Sequence, residues 1–223
     1  MHPLGGVAGS RGILQLQFRM TCTQLGKEMK ILVTGFEPWG KWPSNPAGDV
    51  AISLGGERIG GVEIVSALLP VEFGEDTAIT LPLIEEHKPA AVVSLGLAQT
   101  SCLNVERVAV NLKNDDQAIY GTGPDAYFAT LPTRAMKEAI EMVGIPSKLS
   151  YHAGTFLCNH IMFGVLHFLA VNQSDTIAGF IHVPPTPDLV AAEGKDEPSM
   201  SLEMIREGTV IGLGHLVDYL SNS

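Results

Sequence analysis

AAVVSLGL, residues 90–97, carries no charge and is apolar or small at odd and even positions alike, so the strand that this run predicts is buried on both faces. A strand covered on both faces belongs to a sheet with helices on each side, which is the setting of parallel sheets. The neighbouring sequence alternates in the same sense. On the N-terminal side, KILVTGF (residues 30–36) reads as a strand, NPAGDVAISLG (45–55) as a helix, VEIVSALLPV (62–71) as a strand and DTAITLPLIEEH (76–87) as an amphipathic stretch. On the C-terminal side, ERVAVNL (106–112) reads as a strand, TLPTRAMKEAIEMVG (130–144) as a helix closed by Gly144, and SKLSY (147–151) as a strand. TFLCNHIMFGVLHFLAV (155–171) follows as a helix, TIAGFIHVP (176–184) as a strand and SMSLEMIREGTVIGLGHLVDYL (199–220) as the terminal helix. The expected fold is α/β: a three-layer α/β/α sandwich around a mostly parallel twisted sheet, in a single domain.

Composition agrees with one compact unit, because 223 residues with 45% hydrophobic content can bury a core without staples. A formal net charge of -10, with no cluster of Lys and Arg, argues against nucleic acid or an anionic membrane as partner. No run is long and apolar enough to span a bilayer. Cys22, Cys102 and Cys158 are too few and too scattered for a disulfide framework, and no C-x-x-C pair occurs, so a reducing compartment fits. Residues 1–28 are Gly-rich at the start and lack a sustained period or the order of parts of a secretory signal. They read as a flexible leader or an over-extended start, with the domain proper at 29–223.

In open α/β sheets reactive groups gather where strands end at their carboxyl edge and turn into helices. Three places meet that description: the loop after KILVTGF, the turn His152–Thr155, and the end of TIAGFIHVP. At the second, Ala153-Gly154 permits a tight turn, Thr155 is the expected N-cap, and Cys158 falls in the first turn of the helix. The helix dipole and unpaired N–H groups there favour a thiolate, and the same groups could receive an oxyanion. A buried cysteine acting as a small hydrophobe is the competing reading.

A nucleophilic thiol needs a base. His160 and His167 share a helix with Cys158 but at offsets that point them elsewhere, which leaves His152, close in sequence, and His182, at the mouth of an apolar strand just before Pro184. His182 is the stronger placement, against the alternative of a core histidine satisfied by backbone. Glu106, an acid within a β-prone run, is the candidate to orient the histidine, although a glutamate on an exposed edge is ordinary. Cys158, His160, His152 and His167 cluster in sequence but match none of the usual zinc spacings. KILVTGFEPWG fails as a dinucleotide fingerprint, because Glu37 stands where its second glycine is needed and Pro38-Trp39 would obstruct a pyrophosphate. Phe36, Trp39 and Trp42 instead gather aromatics in one loop, suited to a flat apolar ligand or to a lid on the core.

Taken in order, KILVTGFEPWG, GLAQ followed by ERVAVN, AYFATLP, AGTFLCNH, GFIHVP and PSMSL resemble the pyroglutamyl peptidase I (pyrrolidone-carboxylate peptidase) family of cysteine peptidases, from Met29 nearly to the C-terminus. The resemblance implies a cytosolic thiol exopeptidase that removes an N-terminal pyroglutamyl residue from peptides through a thioacyl-enzyme. It also implies an α/β/α sandwich, no metal or other cofactor, and a homo-oligomer, tetrameric in the family. By the same resemblance the nucleophile is Cys158, the base His182 and the orienting acid Glu106. Phe36, Trp39, Phe156 and Leu157 would wall the neutral lactam, and Asn45 matches a loop-anchoring asparagine.

The chain also departs from the family pattern. NLKNDDQAIYGTGPDAYFATLP is shorter than usual and lacks the arginine of a D-A-R-I-P-D-N motif, Trp39 stands in place of phenylalanine, Thr100-Ser101 in place of Gly-Arg, and Pro185 in place of an aromatic. A more open pocket and a narrower lactam slot are the expected consequences. The alternative to an active peptidase is a weakened homologue that binds pyroglutamyl peptides. A nucleotide-using enzyme on a similar sheet is a third reading, which predicts stabilisation by such ligands.

Overall fold

The computed structural model describes residues 29–40, 42–114 and 116–222; the leader expected over residues 1–28, with Cys22, lies outside the described residues. Along the chain the elements are β1 (Lys30–Phe36), α1 (Pro46–Leu54), β2 (Arg58–Ile59), β3 (Val62–Leu69), α2 (Glu75–His87), β4 (Ala91–Leu97), β5 (Leu103–Glu106), β6 (Val108–Val110) and β7 (Ala126–Phe128). They continue with α3 (Thr133–Met142), β8 (Ser147–Ser150), α4 (Leu157–Val171), β9 (Ile177–Val183), α5 (Pro187–Glu193) and α6 (Leu202–Ser221).

The main sheet has the order β2-β3-β1-β4-β9-β5-β8. β3, β1, β4 and β9 are mutually parallel, whereas β5 runs antiparallel to β9, β8 follows β5, and β2 runs antiparallel to β3. Strand alternation divides the core into two layers. Ile31 and Val33, Ala91, Val93 and Leu95, and Ile181 and Val183 point to one face, where α1, α3 and α6 cover them with residues such as Val50, Leu54, Met136, Ile140 and Leu213. Leu32 and Phe36, Val92, and Ala178 and Phe180 point to the other, against Ile84 of α2 and Leu157, Ile161, Phe163 and Val165 of α4. The expected three-layer sandwich is therefore the observed one. The double-faced burial of Ala91–Gly96 follows from the place of β4 between β1 and β9.

Two expectations need correction. ERVAVNL is not one strand: Glu106 ends β5 and Val108 opens β6, which pairs with β7 in a separate two-stranded sheet. On one side of Glu106 the ladder ends, because Ser150, the last residue of β8, is its register neighbour and the following turn leads into α4, and on the other the N–H of Thr130 donates to the carbonyl of Ala178 in β9 at 2.9 Å. The N–H of Arg107 still reaches the carbonyl of Ser150 at 2.7 Å, while its carbonyl accepts from Ala129 at 2.9 Å, so the chain changes sheets at that residue. The second correction concerns Thr155, which does not cap α4. Phe156 holds the N-cap position, with extended backbone and no side-chain cap bond.

Candidate active site

The parallel strands bring their carboxyl ends to one edge of the sheet, and the first turn of α4 starts there. On the face that α4 covers, β9 presents Ala178, Phe180 and then His182; β5 runs beside it with Asn104 in register with His182 and Glu106 in register with Phe180. Glu106 is 1% exposed and His182 7%. The Nδ1–H of His182 donates to Oε1 of Glu106 at 2.7 Å, which fixes the tautomer and leaves Nε2 for the opposite side of the ring. Oε2 of Glu106 is buried with no hydrogen-bond partner among the described residues, so the carboxylate directs its bonding at the imidazole.

Cys158 stands on the other side. Gly96 of β4 is the register partner of His182, and a Cβ added to Gly96 would lie 2.8 Å from Cys158 Sγ and 2.5 Å from Cζ of Phe180. The sulfur therefore rests directly on the backbone of β4 beside the histidine strand, at a place only glycine leaves open. Burial pushes the pKa of His182 down, but the charge of a Cys158 thiolate and hydrogen bonding to it, with the hydrogen bond and charge of Glu106, outweigh burial and push His182 up to about 9.

The turn before α4 is made by Gly154, whose φ of +80 is the left-handed conformation that glycine adopts without a Cβ penalty. The first intrahelical bond runs from the N–H of His160 to the carbonyl of Phe156. The helix itself does not use the N–H groups of Leu157, Cys158 and Asn159. They flank the sulfur, with the positive end of the helix dipole behind them.

A pocket of about 280 Å³ opens in front of Cys158, and Phe36, Trp39, Asn45, Phe156, Leu157 and Cys158 all line it. Phe36 is 4% exposed and forms fixed floor, whereas Trp39 and Phe156, tilted against each other at 6.3 Å, are 60% and 48% exposed and form the rim. Asn45 caps α1 by accepting from the N–H of Ala47 at 3.1 Å, and its Nδ2 donates to the carbonyl of Glu37 at 3.1 Å, so one side chain ties the first loop to the helix that follows it. Glu106 and His182 are not pocket walls; they lie behind the sulfur, in the sheet.

Of the other histidines, His152 is exposed, His167 shares a hydrogen bond with the hydroxyl of Tyr127 at 3.0 Å, and His160 bonds Asp76. Among the described residues no group of three His, Cys, Asp or Glu side chains could hold a metal ion, and no helix is long and apolar enough to cross a membrane.

Sequence reasoning missed several contributors. Ser44, Val71, Leu97, Ala98 and Gln99 line the pocket beside Trp42, the third aromatic expected of the first loop. Fully buried Asn159, beside Cys158, accepts from the N–H of Val110 at 2.8 Å and donates to the carbonyls of Val110 and Leu112 at 2.8 and 2.9 Å, which clamps β6 to α4. Gly96 carried a readable signal, since a glycine inside an apolar strand marks close approach; Asn159 carried none beyond its place next to Cys158. The segment after Asn111 folds onto α4 and its approach, with Asn114 N–H on the carbonyl of Thr155 at 3.0 Å and Tyr120 stacked on His167 at 4.4 Å.

The sequence model of the pyroglutamyl peptidase family matches residues 29–219. Pyrrolidone-carboxylate peptidase of Thermococcus litoralis is 41% identical over 207 residues, covering 86% of this chain and 94% of its own, and that of Cupriavidus taiwanensis is 39% identical over 191 residues, covering 80% and 88%. The solved structure of pyrrolidone carboxyl peptidase from Thermococcus litoralis superposes with a TM-score of 0.83 at 38% identity, over 87% of this chain and 96% of that one. A match across nearly the whole described domain, in sequence and in fold together, has one conclusion: the chain belongs to the pyroglutamyl peptidase family.

Proposed function

We propose that the chain is a thiol exopeptidase that removes an N-terminal pyroglutamyl residue from peptides, with Cys158 as nucleophile, His182 as general base and acid, and Glu106 as the group that holds the imidazole. The observation that carries this reading is the short bond from His182 Nδ1 to a buried Glu106, with the sulfur of Cys158 the ring's other partner. Cys158 sulfur attacks the carbonyl that joins pyroglutamate to the next residue, and the carbonyl oxygen takes the negative charge, held by N–H groups of the first turn of α4. His182 gives its proton to the leaving amine, the C–N bond breaks, and the pyroglutamyl group stays on sulfur as a thioester. Water then loses a proton to neutral His182 and attacks the thioester, which frees pyroglutamate and restores the thiolate and the protonated ring. Glu106 keeps Nδ1 protonated and stabilises the imidazolium through both steps.

Pyroglutamate is a neutral five-membered lactam without a free α-amine. A small apolar pocket between Phe36, Trp39, Phe156 and Leu157 suits it, and a volume of about 280 Å³ falls just under the usual range of ligand pockets, roughly 300–1,000 Å³, as fits one small residue. The substrates under this reading are small peptides that begin with pyroglutamate, the site of action is the cytosol, and the working form is a homo-oligomer. The test is release of a fluorophore from a pyroglutamyl amide by the intact chain, with Cys158→Ser alongside. Release that disappears in the variant is expected; release that persists there, or none from the unaltered chain, would remove the proposal.

A further inference from the structure

Two residues past the sulfur, His160 is 5% exposed and turns its ring away from His182 towards α2. Its Nδ1–H donates to Oδ2 of Asp76 at 2.8 Å, and Asp76 is wholly buried. The other oxygen, Oδ1, accepts from the N–H of Gly74 at 3.1 Å and from that of Thr77 at 2.8 Å. The carboxylate thus sits in the first turn of α2, where the helix dipole favours a negative charge, and three donors hold it in place. Phe73 completes the joint: it meets the ring of His160 edge-on at 5.2 Å and the ring of Phe156 edge-on at 5.2 Å. Two further groups face this joint, Lys113 at 6.0 Å over the ring of Phe73 and Tyr120, whose hydroxyl is pushed up by burial and by the charge of Asp76.

The reaction outlined above does not use a second carboxylate–imidazole pair. Burying one is costly unless its bonds are well made, and removal of either partner leaves an unpaired polar group. The location of this pair explains its use. His160 belongs to the same helical turn as Cys158, and Asn159, between them, ties that turn to residues 110–112 on the opposite side. The nucleophile turn is therefore gripped twice, by β6 through Asn159 and by α2 through His160.

We propose that Asp76 and His160 are a positioning pair that holds the first turn of α4 at the sheet, so that Cys158 Sγ stays beside His182. For its kinetic readout the proposal rests on the peptidase reading, whereas its thiol readout does not.

Two substitutions separate the hydrogen bond from the packing. His160→Asn retains a side-chain N–H donor, and His160→Phe retains a ring against Phe73 but has no donor. A misplacement on the order of 1 Å costs up to about 100-fold, so His160→Phe is expected to lose at least about tenfold in kcat with a smaller change in KM, and His160→Asn to recover most of that loss. Iodoacetamide provides the second measurement. Alkylation of Cys158 in His160→Phe should be several-fold slower than in the unaltered chain at about pH 7 and equal to it at about pH 10, where any thiol is ionised without help from an imidazolium. A folded His160→Phe with unaltered kcat and an unaltered alkylation profile, or one that outperforms His160→Asn, overturns the proposal. If His160→Phe does not fold, Asp76→Asn, which keeps an acceptor for Gly74 and Thr77, carries the same comparison, and an unchanged profile there overturns it equally. An unaltered chain that is inactive on pyroglutamyl amides would defeat the peptidase reading while the alkylation comparison still decides the positioning pair.

Discussion

His182 lies between two groups that are negative when ionised, and this gives the site its dependence on pH. An ordinary histidine titrates at 6.5, and here the value is about 9, so the folded protein holds the proton more tightly than the unfolded chain does. The resulting stability is fully present below about 6.5 and is lost as pH rises through about 9. Thermal unfolding followed across that range should show a falling midpoint, and under the proposed mechanism kcat/KM should fall on the same alkaline limb as the ring loses the proton that the leaving amine takes. In Cys158→Ala the thiolate contribution is gone and the His182 titration, followed by NMR, should move down; an unmoved titration would mean that Glu106 alone retains the proton. Gly96 is the second residue with a sharp expectation. Gly96→Ala puts a methyl group where Cys158 Sγ and the ring of Phe180 now lie, so we expect a loss of roughly 100-fold in kcat and about 1–3 kcal/mol of stability, read from steady-state kinetics and urea unfolding.

At the scale of elements, two helix starts shape the site in opposite ways. α1 is capped, by Asn45, and the cap doubles as the tether of the aromatic loop through Glu37. Asn45→Ala should cost about 1 kcal/mol in unfolding experiments and raise KM more than it lowers kcat, since the loop that carries Trp39 loses its anchor while the residues around the sulfur stay in place. α4 starts without a side-chain cap, and its open amides flank Cys158. The regular elements were readable because each is long enough to show its period: β1, β4 and β9 as apolar runs, α3 and α6 as amphipathic ones. α5 and the β6–β7 pair were not. α5 is only Pro187–Glu193, and β6 and β7 have three residues each, too short for periodicity to separate them from a loop. The break at Arg107 had no sequence signal at all, because it is set by where β8 ends and where Thr130 takes Ala178 of β9 in place of β5.

For the whole molecule, the main sheet and both of its helical layers are built within residues 30–221, and the family match starts at residue 29. A chain that begins at Met29 should therefore fold cooperatively and release the fluorophore at the rate of the full chain within about twofold. A large loss of activity or of unfolding cooperativity would make residues 1–28 part of the working structure. By itself the sequence determined the sandwich, because apolar runs of strand length alternating with amphipathic ones have few other ways to bury themselves, and it determined Cys158 and His182 as candidates, because each stands at a strand end or helix start. It offered Glu106 as the orienting acid from its place in a β-prone run, a weak signal that the resemblance strengthened. The tertiary structure alone decided that Glu106 bonds His182 and that the sulfur rests on Gly96. It alone decided, too, that Asn159 and the Asp76–His160 pair grip one helical turn from two sides. The physical reason is that these contacts join residues as far as 84 positions apart, and such distances close only when strand order and register are fixed.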